Sequence, residues 1–167
     1  MKPFIFQCQK CGKCCHDLLI RDKNIVRGLT LIPGEEQHFP SESIKPAVGI
    51  GKRPYDKNFK VIAYQLISDT CPNLVNKLCT IYNTRPSSCR QYPFSLDLDK
   101  NGQTLIGFDM NCPALQEMMN MNSTMQMDFE EQESAGKLLQ LKQAVKNNPN
   151  KVWLYDLETN KWVKHRE

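Results

Sequence analysis

Cysteine is the residue type in this chain best suited to chemistry, and its spacing is uneven. Four of the eight cysteines form a C-x-x-C-x-x-C-C run near the start, and the other four follow after a gap of 55 residues. Two cysteines three residues apart can turn both sulfurs toward one cation, a spacing typical of zinc and iron–sulfur sites. We therefore predict eight metal ligands: Cys8, Cys11, Cys14, Cys15, Cys71, Cys79, Cys89 and Cys112.

The number of metal centres is open at this point. Cys8, Cys11 and Cys14 have the triple spacing of a bacterial ferredoxin loop, and a Cys-Pro pair of the kind found there occurs twice downstream. Adjacent side chains in a loop tend to point apart, so Cys14 and Cys15 favour two four-ligand centres. The first would use the three spaced cysteines and one distant cysteine, and the second Cys15 with the other three. The alternative is one four-cysteine site with four spare thiols.

The chain resembles the CxxCxxCC family of zinc- or iron-chelating proteins in two places. The opening motif is F-x-C-x-x-C-G-x-C-C at residues 6–15. The downstream signature is C-P at 71–72 and then C-x-I-Y-x-x-R-P-x-x-C-R-x-Y-P-F at 79–94. The resemblance covers residues 6–16 and 71–113 and implies a bound metal. Flagellin lysine methylases are similar at the cysteine motif, and this likeness implies cluster-dependent methyl transfer as one function.

Two arginines flank one of the dispersed cysteines. A guanidinium near a thiol lowers its pKa and stabilises a thiolate or an anionic cluster, so we predict that Arg85 and Arg90 contribute to cofactor binding beside Cys89. The alternative is that Arg85 holds the local turn through backbone carbonyls. Three aromatic residues nearby, Tyr82, Tyr92 and Phe94, are expected to pack around the site and exclude water.

Two further groups of possible ligands are assigned other roles. His16 follows the cysteine pair and could replace a thiolate, but eight cysteines already suffice. Five of the seven methionines lie between Met118 and Met127. Thioethers suit Cu(I), yet unbranched methionine also fills irregular packing, and packing is the favoured reading.

The sequence patterns around these cysteines predict a small, loop-rich α+β domain organised by the metal centre. Residues 22–58 read as short helices and loops, 60–67 as a strand, and 94–98 with 104–108 as a hairpin turned by Asn101 and Gly102. A helix is expected from Asp128, stopped by Pro149, with a terminal hairpin after it. We divide the chain into a metal-binding domain at 1–115 and a helix and hairpin at 116–167 packed on the same unit.

Composition narrows the classes of function. The formal charge of +4 becomes zero if eight thiolates bind two divalent ions, so the basic surplus does not indicate nucleic-acid binding. No apolar run reaches the length of a membrane span, and no signal peptide is evident. We therefore expect a cytoplasmic protein with no membrane partner, and in a reducing cytosol eight thiols are more often metal ligands than four disulfides.

Three functions remain compatible with the sequence. We favour an iron–sulfur cluster of the 4Fe-4S type, used for electron transfer or cluster-assisted chemistry with an unidentified redox or protein partner. The second is a structural or interaction module that binds Zn²⁺, and the third is metal storage or delivery. No independent catalytic motif stands out, so any enzymatic chemistry depends on the metal centre.

Overall fold

A computed structural model describes residues 4–120, 125–126 and 129–166 of the chain. Its strands are β1 Phe4–Ile5, β2 Ile20–Asp22, β3 Ile25–Arg27, β4 Thr30–Leu31, β5 Ile44–Ile50, β6 Lys60–Leu66, β7 Leu74–Val75, β8 Leu78–Cys79, β9 Phe94–Leu98, β10 Thr104–Phe108, β11 Met125–Gln126, β12 Val152–Asp156 and β13 Lys161–Lys164. Its α-helices are α1 Ser87–Gln91, α2 Pro113–Asn120 and α3 Phe129–Lys146. This mixture of separate helices and small sheets confirms the α+β class.

A five-stranded antiparallel sheet forms the centre of the fold, in the order β13-β12-β5-β6-β4. The predicted strand at 60–67 is confirmed as β6, and the terminal hairpin is confirmed as β12 and β13. Ala63, Val152 and Leu154 are buried on this sheet, and the partly buried Leu141 and Val145 of α3 pack against the same cluster. The C-terminal segment thus completes the sheet begun by the N-terminal one.

The central strand β5 corrects the expectation of short helices and loops at 22–58. Pro46 and Gly49 obscure the strand pattern in the sequence, since proline lacks an N–H for the ladder. Register shifts between Pro46 and Val48 and between Val48 and Gly49 accommodate them. Pairing with β6 on one side and β12 on the other then outweighs the weak local propensity.

The helix expected from Asp128 is confirmed as α3, although residues 127–128 lie outside the described ranges. Its buried positions include Ala135 and Leu138, which lie three residues apart and therefore on one face of the helix. The helix also fastens the β9–β10 hairpin, because Lys142 Nζ donates a 2.7 Å hydrogen bond to the carbonyl oxygen of Leu96.

The β9–β10 hairpin is confirmed with its predicted bounds, but its turn differs from the prediction. Gly102 has a φ of +80°, whereas Asn101 does not adopt a positive φ. The reason is an Asx turn, in which Asp99 Oδ1 accepts hydrogen bonds from the N–H groups of Asn101 at 2.8 Å and Gln103 at 2.7 Å.

None of the helices in the described ranges is both long enough and apolar enough to cross a membrane.

Candidate metal centre

The N-terminal cysteine run folds as a loop that tightens into a 3₁₀ turn at Lys13–Cys15. Gly12 precedes the turn in the left-handed region with a φ of +74°, and its carbonyl oxygen accepts a 3.0 Å hydrogen bond from the N–H of Cys15. A Cβ at Gly12 would lie 2.8 Å from the carbonyl oxygen of Lys77. Glycine at this position therefore allows the loop to pack against the turn of the β7–β8 hairpin.

The dispersed cysteines approach this loop from four short elements. The N–H of Cys71 donates a 2.8 Å hydrogen bond to the carbonyl oxygen of Cys15, which ties the two segments together. Cys79 ends strand β8, Cys89 is buried in helix α1, and Cys112 immediately precedes helix α2. Proline at the first position of α2 suits a helix start, so Cys112 lies at a helix N-terminus.

Six of the eight cysteines line a single cavity of about 30 Å³. They are Cys8, Cys11, Cys14, Cys79, Cys89 and Cys112. Cys15 and Cys71 do not line it; they lie in an adjoining buried cluster on which Cys14 and Cys79 also pack. Within the described ranges, no three His, Cys, Asp or Glu side chains meet in a geometry that would hold an ion. The six thiols form part of the walls of this space, which we call the thiol cavity.

Backbone N–H groups donate to the sulfurs with a regular offset. The N–H group of Lys10, two residues after Cys8 in the chain, donates a 3.3 Å hydrogen bond to Cys8 Sγ. Three further sulfurs also accept a hydrogen bond from the backbone N–H group two residues later in the chain. The donors are Asn73 for Cys71, Ile81 for Cys79 and Ala114 for Cys112. Hydrogen bonds to sulfur favour the thiolate and tune a bound metal. The donor set therefore fits a thiolate-ligated metal ion or cluster in its chemistry, while the sulfurs would have to move closer together to meet on one ion.

The adjacent cysteines do not diverge as expected from a loop, because the 3₁₀ turn brings their thiols together. The thiol of Cys15 is hydrogen-bonded to both Cys14 and Cys71. These bonds lower the pKa of Cys14 to about 7, with a further contribution from the charge of Arg85, and lower the pKa of Cys71 to about 7. The pKa of Cys15 is raised, because its single S–H proton is shared between the sulfurs of Cys14 and Cys71.

Burial dominates the other thiols that show a shift. Removal from water raises the pKa values of Cys79, Cys89 and Cys112, since the charged thiolate is disfavoured away from solvent. A cation in the thiol cavity would reverse this preference, because a bound thiol gives up its proton. Metal binding here should accordingly release protons.

The two predicted arginines occupy different positions. Arg85 lines the thiol cavity, stacks 3.7 Å from the centroid of the Tyr82 ring and donates from Nε to the carbonyl oxygen of Tyr82 at 2.8 Å. Arg90 does not line that cavity; it donates to the carbonyl oxygens of Arg85 at 2.9 Å and Asn83 at 2.7 Å. Arg85 thus holds the local turn through a backbone carbonyl and lies beside the thiols, and Arg90 braces the segment that carries it.

The aromatic residues divide in the same way. Tyr82 and Tyr92 line the thiol cavity, and burial raises the pKa of both hydroxyls. Tyr82 is also hydrogen-bonded to the thiol of Cys8. Phe94 lies behind the cavity wall and packs edge-on against Phe6 at 5.3 Å. These contacts give the sulfurs an enclosed, largely apolar surrounding.

Of the remaining candidates, His16, Met118 and Met119 have described side chains and do not line the thiol cavity. His16 is exposed, with Nδ1 3.5 Å from the hydroxyl of Thr70. Met118 is buried beside Leu115, whereas Met119 is exposed. Met121 and Met127 lie outside the described residues.

Sequence reasoning missed two residues that support the site. The ammonium group of Lys10 lies 4.5 Å from the centroid of the Tyr82 ring and adds a second cation beside the cavity. Glu35 Oε1 accepts hydrogen bonds from both the N–H and the hydroxyl of Ser87, each at 2.7 Å, and so holds the start of α1. No local signal identifies Glu35, since 52 residues separate the partners.

Residues 7–124 match the profile of the CxxCxxCC family, described as "Putative zinc- or iron-chelating domain". The match spans most of the chain and includes all eight cysteines, so this protein belongs to the CxxCxxCC family. Membership supports metal binding. No curated protein and no solved structure matches the chain.

Proposed function

We propose that the thiol cavity holds an iron–sulfur cluster used for electron transfer or cluster-assisted chemistry. The observation that carries the proposal is that six thiols line one cavity, more than the four that a single tetrahedral zinc ion takes. Ligands would be drawn from these six. Cys15, which is hydrogen-bonded to both Cys14 and Cys71, would stay beside them with Cys71, or the two would join a second centre. When bound, the cluster would supply a one-electron redox couple.

The surroundings of the thiols support this proposal. The N–H groups of Lys10, Ile81 and Ala114 donate to three of the six sulfurs, and hydrogen bonds of this kind raise the reduction potential of a cluster. The charge of Arg85 offsets that of an anionic centre, and the rings of Tyr82 and Tyr92 limit access of water.

A zinc module is the second candidate, and the size of the cavity favours it. About 30 Å³ accommodates one ion more readily than a four-iron cubane, unless the thiols move outward. Zinc would select four thiolates and hold the four converging segments together as part of the fold.

Metal and acid-labile sulfide analysis of protein purified without air separates the two candidates. Iron with an equal amount of sulfide and a brown visible spectrum is the expected result. Zinc without sulfide, in a colourless protein, would replace the redox proposal with a structural or metal-handling role.

Serine substitution then locates the centre. Cys11→Ser and Cys14→Ser are each expected to lower metal content and thermal stability together, because metal binding is linked to folding. Gln7→Ala, an exposed change in the same loop, is the matched control. Unchanged metal content and melting temperature in both serine variants would contradict the assignment of the thiol cavity.

A further inference from the structure

A second and much larger cavity, of about 1080 Å³, lies between helix α3, the five-stranded sheet and the turn of the β9–β10 hairpin. No cysteine lines it, so it is separate from the thiol cavity. We call it the α3 groove. Its volume is slightly above the usual range for small-molecule sites, about 300–1,000 Å³.

Aliphatic side chains line the inner surface of the α3 groove. Leu138, Leu141 and Val145 come from α3, and Val48 and Leu154 from strands β5 and β12. Aliphatic side chains bind apolar groups without directional requirements, so this surface suits a hydrocarbon chain.

The edge of the α3 groove is strongly basic. Seven Lys and Arg side chains line the groove against three Asp side chains, a surplus of four positive charges among the residues described there. Two of the three carboxylates are already paired, Asp22 with Arg27 at 3.2 Å and Asp97 with Lys142 at 3.3 Å. The third, Asp99, accepts hydrogen bonds in its own turn through Oδ1. The remaining cations therefore give the groove a positive field that favours an anion.

Arg27 carries an unused donor in this setting. Its Nη2 donates to Asp22, but its Nε is buried and has no hydrogen-bond partner among the described residues. A buried charged donor without an acceptor is costly, and such groups call for a bound water, ion or ligand. A carboxylate entering the α3 groove beside Arg27 would add an acceptor for its guanidinium, and it would reach the buried Nε once the Arg27 side chain moved toward the groove.

We propose that the α3 groove binds an amphipathic organic anion, a linear acyl carboxylate. The acyl chain lies along the aliphatic surface of α3 and the sheet, and the carboxylate pairs with Arg27 at the basic edge. Selectivity for an acyl carboxylate requires both features. The positive field alone would attract any anion, and the aliphatic surface alone would bind any apolar molecule. The proposal does not depend on which metal the thiol cavity binds.

Calorimetric titration of the purified full-length chain tests whether the α3 groove binds an acyl carboxylate. Three probes that each carry a ten-carbon chain are used, at concentrations at which they form no micelles. Decanoate is expected to bind saturably at one site per chain, whereas decanol and decyltrimethylammonium, which have the same chain length without the negative charge, bind at least tenfold more weakly. Equal binding of decanoate and decanol would overturn the proposal, and so would the absence of saturable decanoate binding.

Two variants place the site. Arg27→Gln is expected to weaken decanoate binding at least tenfold, and Val163→Trp, at a groove position 37% exposed, should block the groove by its volume. Arg53→Gln removes an exposed arginine outside the groove and should leave binding unchanged. If both groove variants bind decanoate as the unmodified chain does, the α3 groove is not the site. A thermal melt of each variant separates loss of binding from loss of fold.

Discussion

At the residue scale, hydrogen bonding to sulfur best explains why Cys14 and Cys71 ionise more readily than an ordinary cysteine. Four cysteines each receive an N–H two residues further along, and Cys15 shares its thiol between Cys14 and Cys71. Each donor stabilises negative charge on sulfur in the absence of metal, which lowers the free energy needed to form the ligand. The charge of Arg85 adds to this effect at Cys14.

The first prediction concerns that charge. In the metal-free, reduced chain, Arg85→Gln should raise the pKa of Cys14 from about 7 toward its ordinary value of 9.0, because a positive charge that favours the thiolate is removed. Iodoacetamide alkylation of Cys14, followed by mass spectrometry across pH, should shift its midpoint to higher pH. Alkylation at pH 7 should fall about threefold or more, since only the thiolate reacts.

Arg85→Lys and Arg53→Gln are the controls for this measurement. Arg85→Lys keeps a positive charge and should largely restore reactivity, although it loses the planar stacking on Tyr82. Arg53→Gln changes an exposed arginine and should have no effect. An unchanged alkylation midpoint in Arg85→Gln would show that hydrogen bonding from Cys15 alone sets the pKa of Cys14.

At the scale of elements, the thiol cavity is assembled from short pieces with little regular structure of their own. The N-terminal loop with its 3₁₀ turn, the β7–β8 hairpin, helix α1 and the residue before α2 each contribute one or more cysteines. The β7–β8 turn contains Asn76 and Lys77 at positive φ values of 50° and 65°, which brings Cys79 back beside the N-terminal loop. Gly12 permits the closest approach of these two elements.

The second prediction isolates that approach by comparing two glycines. Gly12→Ala and Gly34→Ala both place a Cβ at a positive φ, +74° and +100°, and so carry similar backbone strain. Only at Gly12 does the new methyl meet the backbone, 2.8 Å from Lys77 O; at Gly34 nothing lies within 4 Å. We expect Gly12→Ala to lose most of its bound metal and Gly34→Ala to retain it.

Metal content per folded chain, measured beside urea unfolding, is the readout. Equal metal content in the two variants would mean that the loop tolerates displacement from the β7–β8 turn. That result would contradict the proposed need for glycine at position 12 in metal binding.

At the scale of the whole molecule, a single buried side chain joins segments from across the sequence. Gln65 is fully buried on β6, and its Oε1 accepts a 2.8 Å hydrogen bond from the N–H of Gly28. Its Nε2 donates to the carbonyl oxygens of Pro46 at 2.8 Å and Tyr155 at 3.0 Å. This amide thereby links the β3–β4 connection, β5 and β12 inside the fold.

The third prediction is that Gln65→Leu lowers the free energy of unfolding by about 3 kcal/mol or more. Leucine has a similar volume but leaves the Gly28 N–H without its acceptor and two carbonyls without their donor, at about 1–3 kcal/mol for each buried unsatisfied group. Urea denaturation should show a lower midpoint with the slope preserved.

Gln103→Leu, an exposed change in the β9–β10 turn, is the control and should lie within about 0.5 kcal/mol of the unmodified chain. A similar effect from both substitutions would contradict the linking role of Gln65.

Much of the architecture was predictable where local signals and final packing agree. Helix α3, the β9–β10 hairpin and the terminal hairpin follow from periodicity, charge placement and turn residues, and β6 from a run of β-formers. Strand β5 was not predictable, because Pro46 and Gly49 weaken its pattern and only its neighbours on both sides make it a strand.

By itself, the sequence determined the chemistry of this protein: the cysteine spacing and the R-P-x-x-C-R signature place it in a metal-chelating family. Tertiary structure alone decided which thiols face one cavity, how Cys15 bridges Cys14 and Cys71, and where a basic groove forms beside α3. The physical reason is range. Residue type and short spacing fix what a side chain can bind, whereas cavities arise from contacts between segments distant in the chain, such as those of Lys142 with Leu96 and of Cys71 with Cys15, on which local patterns carry no information.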